Sequence, residues 1–291
     1  MSAQLPQAFV ERMAARLKDE LPAFLRSYEE PYCRGIRFQP GKLVPPAAWP
    51  AGVGEQIPWE PAARYLVMES DAGTMVLHEA GGWYLQEPSA MAPVAALNPQ
   101  PGERVLDLCA APGGKSTQIA AHLGGKGLLV SNEPVPKRAA VLSRNLERMG
   151  ATNALAVSAY PDQLAAQWPA YFDAVLVDAP CSGEGMFRRH PETREEWSPE
   201  APAGCAKRQR EILAAAARLV RPGGRMVYST CTLSRAENDE VADRFLAEHP
   251  DFEPASLGEA FGSDSGLCRM SITPAKYNSD GFFIAKFIRL R

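Results

Sequence analysis

The sequence predicts an α/β fold: a parallel sheet covered by helices on both faces, preceded by a small N-terminal α+β lobe. Two observations carry this. From about residue 95 onward, short apolar runs alternate with stretches of helical periodicity, and glycine or proline marks most of the junctions. The runs are apolar throughout rather than on alternate residues, as expected for strands buried on both sides. Before residue 95 the pattern is different, which divides the chain into an N-terminal lobe, residues 1–94, and a larger domain, residues 95–291.

The elements follow in order. Phe9, Met13, Leu17 and Leu21 recur every four residues and predict an amphipathic helix within residues 5–28. The segment "PGKLVPPAAWPAGVGEQIPWEPAARY" is rich in Pro and Gly and predicts loops with short strands. Trp49, Trp59 and Trp83 need surfaces to pack on, so this is a lobe and not a linker. Then come a strand, "RVLDLCA"; a helix with a glycine stop, "KSTQIAAHLG"; a strand, "GLLVSNE"; and a helix, "PKRAAVLSRNLERMG", ending at Gly150. "ALAVSA" and "FDAVLVDA" are further strands. The helix "KRQREILAAAARLV" is stopped by "RPGG", which leads into the strand "RMVYSTC". The helix "ENDEVADRFLAEHP" and the strand "GFFIAKFIRL" close the chain.

Composition narrows the class. With 291 residues, 46% hydrophobic and 22% charged, the chain has ample material for a core. No apolar run approaches the roughly 18 to 20 residues of a membrane span. The start, "MSAQLPQAFVERMAARLKDEL", is amphipathic and charged, unlike a signal peptide, so a cytoplasmic location is expected. The six cysteines (Cys33, Cys109, Cys181, Cys205, Cys231, Cys268) show no C-x-x-C and no zinc spacing, and the four histidines are isolated. No metal is expected, and the thiols should be free. The net charge of −3 argues against a purely electrostatic nucleic-acid binder but leaves room for a local basic face. The arginine-rich segments "CRGIRFQPGK", "GMFRRHPETR", "AKRQR" and "RPGGR" each read singly as solvated surface. No heptad pattern points to assembly, and a monomer is expected.

In such sheets ligands sit at the carboxyl ends of the strands. The first strand runs into "DLCAAPGGKST". "GGKST" matches the second half of a P-loop, but the first required glycine is replaced by Cys109, which excludes that reading. A nucleoside cofactor suits the turn better. Small residues (Ala110, Ala111, Gly113, Gly114) admit a ligand close to the backbone, above a helix N-terminus. The second strand ends in Glu133, which suits the two hydroxyls of a ribose; an acid ahead of a helix start is the alternative. Two later strands end in "VDAPC" and "YSTC", delivering Cys181 and Cys231 to one edge of the sheet, the first beside Asp178. A single buried cysteine is ordinarily a small hydrophobe. A pair with an adjacent acid points to catalysis.

These motifs closely resemble the NOL1/NOP2/Sun-type RNA cytosine-5 methyltransferases, the bacterial ribosomal-RNA members most of all. "LDLCAAPGGKST" resembles the family's cofactor loop, "DAPCSGEGMFRRHPE" its Pro-Cys motif, and "PGGRMVYSTCTLSRAEND" its Thr-Cys motif. "YLQEPSAMAP" resembles the approach to the catalytic domain and "DGFFIAKF" the closing strand. The resemblance covers at least residues 84–288. It implies a Rossmann-like class I methyltransferase sheet and S-adenosylmethionine as cofactor, held by Cys109, Ala110, Ala111, Pro112, Gly113, Gly114, Lys115, Glu133 and Asp178. It implies an RNA substrate, ribosomal RNA in preference to transfer RNA, presenting a single-stranded or flipped cytosine.

By the resemblance, Cys231 is the nucleophile, Asp178 grips the cytosine edge, and Cys181 serves release of methylated RNA, with removal of the C5 proton as its chemical role. Lys115 contacts the base or the cofactor carboxylate, or is a surface lysine. Cys109 is read as packing, the arginines of "MFRRHPETR" as holders of flanking phosphates, and the N-terminal lobe, residues 1–94 with "CRGIRFQPGK", as the other candidate RNA-binding surface. The sequence departs from the family in two places. Ala159 stands where an acid near the adenine is expected, leaving that role to Asp162 or to backbone groups. Many bacterial relatives continue into a C-terminal RNA-binding domain, whereas this chain stops at Arg291, so a short member or a fragment is expected. A non-catalytic RNA-binding or ribosome-assembly protein on the same scaffold is the competing class. It would have no use for the cysteine pair and Asp178.

Overall fold

Most of the strands expected from the alternation lie in one sheet, but they do not all run the same way. A computed structural model describes residues 4–42, 45–262 and 266–291. Leu43 and Val44, in the stretch expected to form loops and short strands, lie outside the described residues. The N-terminal sheet contains β1 (Arg34–Phe38), β2 (Val53–Ile57), β3 (Glu60–Leu66) and β4 (Trp83–Gln86) in the order β2-β3-β1-β4, all antiparallel. The larger sheet contains β5 (Arg104–Asp107), β6 (Leu128–Asn132), β7 (Ala154–Val157), β8 (Phe172–Asp178), β9 (Val220–Thr230), β10 (Phe252–Pro254), β11 (Arg269–Ile272) and β12 (Phe282–Arg289). Its order is β10-β12-β9-β8-β5-β6-β7, with β11 paired to β12.

The strands from β7 to β9 are parallel to one another. The expected parallel sheet is present, and at its other end β12 runs antiparallel to β9 and also pairs antiparallel with β10 and β11. Residues of β12 are buried on both faces, so its apolar run carries no sign of direction. The short β10 and β11 have no distinct pattern in the sequence. The "RPGG" turn is also absorbed into β9. Pairing with β8 jumps from Phe172↔Val220 to Ala174↔Arg225, so the extra residues bulge out of the strand.

The helices are α1 (Gln7–Leu17), α2 (Leu21–Arg26), α3 (Val76–Glu79), α4 (Ala92–Leu97), α5 (Gly114–Leu123), α6 (Pro136–Met149), α7 (Pro161–Gln167), α8 (Thr193–Glu196), α9 (Ala201–Leu219) and α10 (Asp239–Glu248). Helices α4, α5 and α6 pack on one face of the large sheet, around Val105, Leu129, Leu176 and Val227. Helices α7, α9 and α10 cover the other, around Leu106, Val130, Val175 and Tyr228. Burying both faces is what selects the unbroken apolar strands. The single helix expected within residues 5–28 breaks at Lys18, whose φ of 48° is left-handed. The break lets Phe9, Met13 and Phe24 converge on Phe187 and Leu233, in the loops that follow β8 and β9.

All three tryptophans find packing partners. The Trp83 indole donates to Ala72 O at 3.0 Å and the Trp59 indole to Pro88 O at 2.7 Å, while Trp49 stacks on Phe38. Arg37 of β1, almost fully buried, ties the small sheet to α5. Its guanidinium donates to Thr117 Oγ1 at 2.7 Å, Gly114 O at 3.1 Å and Gln86 Oε1 at 3.2 Å. Among the described residues no helix is long and apolar enough to cross a membrane.

Candidate active site

The chain reverses its winding direction between β5 and β8, and a crevice opens at such a switch point. Here it is a cavity of about 610 Å³, lined by Cys109 and Ala111 after β5, Glu133 and Arg138 after β6, Tyr160 and Asp162 after β7, and Asp178 to Cys181 after β8. Cys231, at the end of β9, closes one side. A second cavity of about 230 Å³ adjoins it, reaching from Asp107, Lys115 and Asp178 to Tyr84 and Glu87 of the N-terminal region.

The glycine turn is built by short-range demands. Gly113 caps α5 at φ 113°, in the region that L side chains rarely adopt, and an added Cβ would come within 3.1 Å of Leu142. Beneath the turn, Asn132 donates to Leu108 O at 3.0 Å and accepts from Ala159 N–H at 3.0 Å, so one buried amide pins the turns after β5 and β7. Asp107 is fully buried and accepts from Ser116 Oγ at 2.7 Å. Burial pushes its carboxyl up to about 7; the Ser116 bond opposes this and the Asp178 charge adds to it. Glu133 is buried at the cavity wall, accepts from Val135 N–H at 3.0 Å and lies 3.2 Å from Arg138 Nη1. Glu133 thus braces the start of α6, and it also borders the cavity.

The reactive groups lie at the far side. Cys181 Sγ and Cys231 Sγ are 3.1 Å apart. The hydrogen bond to Cys231 and burial push the Cys181 thiol well above its ordinary range. Either sulfur can donate to the other across this contact. Asp178 is held at both oxygens: Lys115 Nζ donates to Oδ2 at 2.7 Å and Ser229 Oγ to Oδ1 at 2.8 Å. Burial alone would lower the Lys115 pKa, but Asp178 outweighs it and holds the ammonium protonated, with Cys231 adding to the effect. Lys115 is not a surface residue. Its side chain is 12% exposed and its ammonium sits 5.1 Å from the centre of the Phe282 ring.

The two cavities bring together the sequence-predicted site residues except Gly113, whose Cβ position faces Leu142 and Asn145 of α6. Cys109 borders both cavities, and burial with the nearby carboxylates of Asp107, Asp178 and Glu133 pushes its thiol well up, which makes it inert. Asp162 borders the cavity but pairs with the exposed Arg218 on the outside. The arginines read as phosphate holders turn inward. Arg188 is buried and donates to Ser279 O, Arg189 pairs with Asp280 and caps Cys33 O, and Arg194 donates to Phe187 O. In "CRGIRFQPGK", Arg34 likewise donates to Met68 O and Arg37 is buried. The sequence reading missed Ser229, Asn132, Asp107 and the Glu237–Asn238 pair. Their signal was faint: polar residues inside or next to apolar strands, where burial demands a partner.

A parallel sheet of this order, with a glycine turn and a carboxylate at its switch point, defines the Rossmann-like methyltransferase class of folds. Within that class the chain belongs to the 16S rRNA methyltransferase RsmB/F family, which it matches over residues 94–288. Residues 5–88 match the N-terminal domain of 16S rRNA methyltransferase RsmF. The chain is 38% identical over 303 residues to the ribosomal RNA small subunit methyltransferase F of Klebsiella pneumoniae, covering 97% of this chain and 63% of that one. It is 37% identical over 307 residues to the Pectobacterium carotovorum protein of that name, covering 98% and 62%. The chain therefore spans less than two thirds of the length of these relatives. Among solved structures, PH0851 superposes with a TM-score of 0.89 at 28% identity, over 97% of this chain and 66% of that one. NSun6 from Pyrococcus horikoshii, solved with SFG, superposes at 0.85 and 21% identity over 98% of both chains, a likeness of fold.

Proposed function

We propose that the protein transfers a methyl group from S-adenosylmethionine to C5 of a cytosine in RNA, with small-subunit ribosomal RNA as the substrate. One observation carries this reading: the two cysteine sulfurs face each other at 3.1 Å beside a carboxylate held by lysine and serine, on the edge of a nucleoside-sized cavity. The residues suit the cofactor. Cys109 to Lys115 form a cradle of mostly small side chains over the start of α5, Glu133 accepts the ribose hydroxyls, and Asp178 lies where the two cavities meet. When bound, the cofactor supplies an electrophilic methyl group.

The chain's own residues do the rest. C5 of cytosine is a poor nucleophile until sulfur adds at C6. Cys231, accepting the Cys181 S–H hydrogen bond and near the Lys115 ammonium, attacks as thiolate, and the ring becomes an enamine whose C5 takes the methyl. Asp178 accepts from the exocyclic amine and shares a proton taken from solvent with N3, which stabilises the charge that builds on the ring as sulfur adds. Cys181 lies at the reacting face, with its sulfur 3.1 Å from that of Cys231. Once Cys231 is bonded to C6, Cys181 gives its proton to solvent and the resulting thiolate takes the C5 proton, after which the C5–C6 double bond re-forms and the Cys231–C6 bond breaks. A base in a stacked helix cannot reach Cys231, so the target is single-stranded, bulged or flipped. Residues 1–94 form the lobe that meets the flanking RNA, through groups other than the inward-turned Arg34 and Arg37.

The test uses the purified chain, ribosomal and transfer RNA, and labelled cofactor. Cys231→Ala should lose methylation while keeping affinity for S-adenosylhomocysteine, and Cys181→Ala should accumulate a protein–RNA adduct that survives a denaturing gel. Turnover by Cys231→Ala would sink the mechanism, and methylation of transfer RNA alone would move the substrate.

A further inference from the structure

Two loops carry the cysteines, and they are 50 residues apart in the chain. One buried dipeptide joins them. Glu237 is fully buried, and all its partners are neutral donors from around the two cysteines. Its Oε1 accepts from the Ser182 backbone N–H at 2.8 Å and from Gln209 Nε2 at 3.1 Å. Its Oε2 accepts from Ser182 Oγ at 2.5 Å and Thr232 Oγ1 at 3.3 Å. Ser182 directly follows Cys181 and Thr232 directly follows Cys231; their hydroxyls also meet each other at 2.9 Å. Gln209 further donates to Pro180 O, on the other side of Cys181.

Asn238 completes the arrangement from below. Its Oδ1 accepts from Thr230 Oγ1 at 2.6 Å and its Nδ2 donates to Thr232 O at 3.0 Å, so its amide brackets Cys231 from both neighbours. The Tyr228 hydroxyl donates to the Glu237 carbonyl at 2.6 Å and anchors the dipeptide to β9. A second tie, Gly185 N–H to Cys231 O at 2.9 Å, links the loops farther from the sulfurs.

We propose that Glu237 is a positioning residue, clasping the Cys181 loop to the Cys231 loop and so setting the distance between the two sulfurs. A buried carboxylate is costly to desolvate, and among the described residues the hydrogen bonds to this one come from neutral donors. Its placement makes sense where several donors must converge on one point between the ends of two strands. Nearby Asn238 alone cannot do this, because its bonds stay on one loop. The clasp rests on the proposed two-cysteine chemistry for its consequence, but its geometry can be read without any RNA.

The test compares wild type with Glu237→Gln, of nearly the same shape, which cannot accept from all four donors. Diamide takes the two thiol hydrogens and leaves a Cys181–Cys231 disulfide, and peptide mass spectrometry follows its rate. Glu237→Gln is expected to melt cooperatively and bind S-adenosylhomocysteine as wild type does. Disulfide closure and kcat for RNA should each fall roughly ten- to hundred-fold with KM little changed, as loss of a hydrogen bond to a charged group implies. Should that variant not fold, Ser182→Ala removes one hydroxyl of the same bridge and is read in the same assays. Wild-type closure and kcat in the folded variant, or losses that track cofactor affinity, would overturn the clasp. Slowed closure in the variant, together with a wild type that methylates no RNA, would leave the clasp standing and refute the proposed function instead.

Discussion

The Lys115–Asp178 pair gives the sharpest check on the arrangement of the site. At 2.7 Å, with side chains 12% and 26% exposed, it is an ion pair largely out of water. At an effective dielectric of about 20, Coulomb attraction at this distance is about 6 kcal/mol. Desolvation of both groups offsets much of it, so breaking the pair by truncating one side is expected to cost about 3 kcal/mol, near the lower end for buried pairs because Asp178 retains some solvent. In a chain of this size Lys115→Met should then lower Tm by roughly 5 °C. Asp178→Asn should cost a similar amount, since it strands the ammonium beside Phe282. The double variant is the informative one: with both charges gone, the coupling measured across the cycle in urea unfolding should be about 2 kcal/mol. Additive single losses, with coupling below about 0.5 kcal/mol, would mean that the pair does not form in solution and that Asp178 is not pre-oriented as described.

Other predictions concern the cofactor turn. Gly113→Ala forces a side chain into a positive-φ position against Leu142 and should destabilise by about 1 to 3 kcal/mol, seen as a lower Tm; an unchanged Tm would show that the turn relaxes freely. Asp107 has a folded pKa of about 7, raised above its ordinary value, so its contribution to stability is full at low pH and is lost as pH rises toward 7. Asp107→Asn should therefore gain roughly 3 kcal/mol relative to wild type between pH 5 and pH 8 in denaturant titrations, and a pH-independent difference would refute the burial argument. Glu133→Gln should weaken S-adenosylhomocysteine about 10- to 100-fold by calorimetry if the carboxylate holds the ribose, and equal affinity would leave Glu133 as a brace for α6 alone.

Much of this could be read from the chain itself. Strand and helix periods, the glycine demanded at Gly113 and the chemistry at each strand end are short-range properties, set within a few residues. They suffice for the α/β class, the cofactor turn and the naming of Asp178, Cys181 and Cys231 as candidates. The tertiary structure decided what those residues do to one another. Strand order alone puts β8 between β5 and β9, and so brings Lys115 to Asp178 across 63 residues and Cys181 to Cys231 across 50. It turned Arg188 and Arg189 inward onto backbone and Asp280, a choice between water and a buried partner that arginine's own composition leaves open. It also made Glu237, unremarked in "SRAEND", the link between the two cysteine loops. Local pattern specifies which groups a chain carries to its strand ends; only the packing of distant segments, which alone determines burial and partnership, sets their charges, their distances and therefore their chemistry.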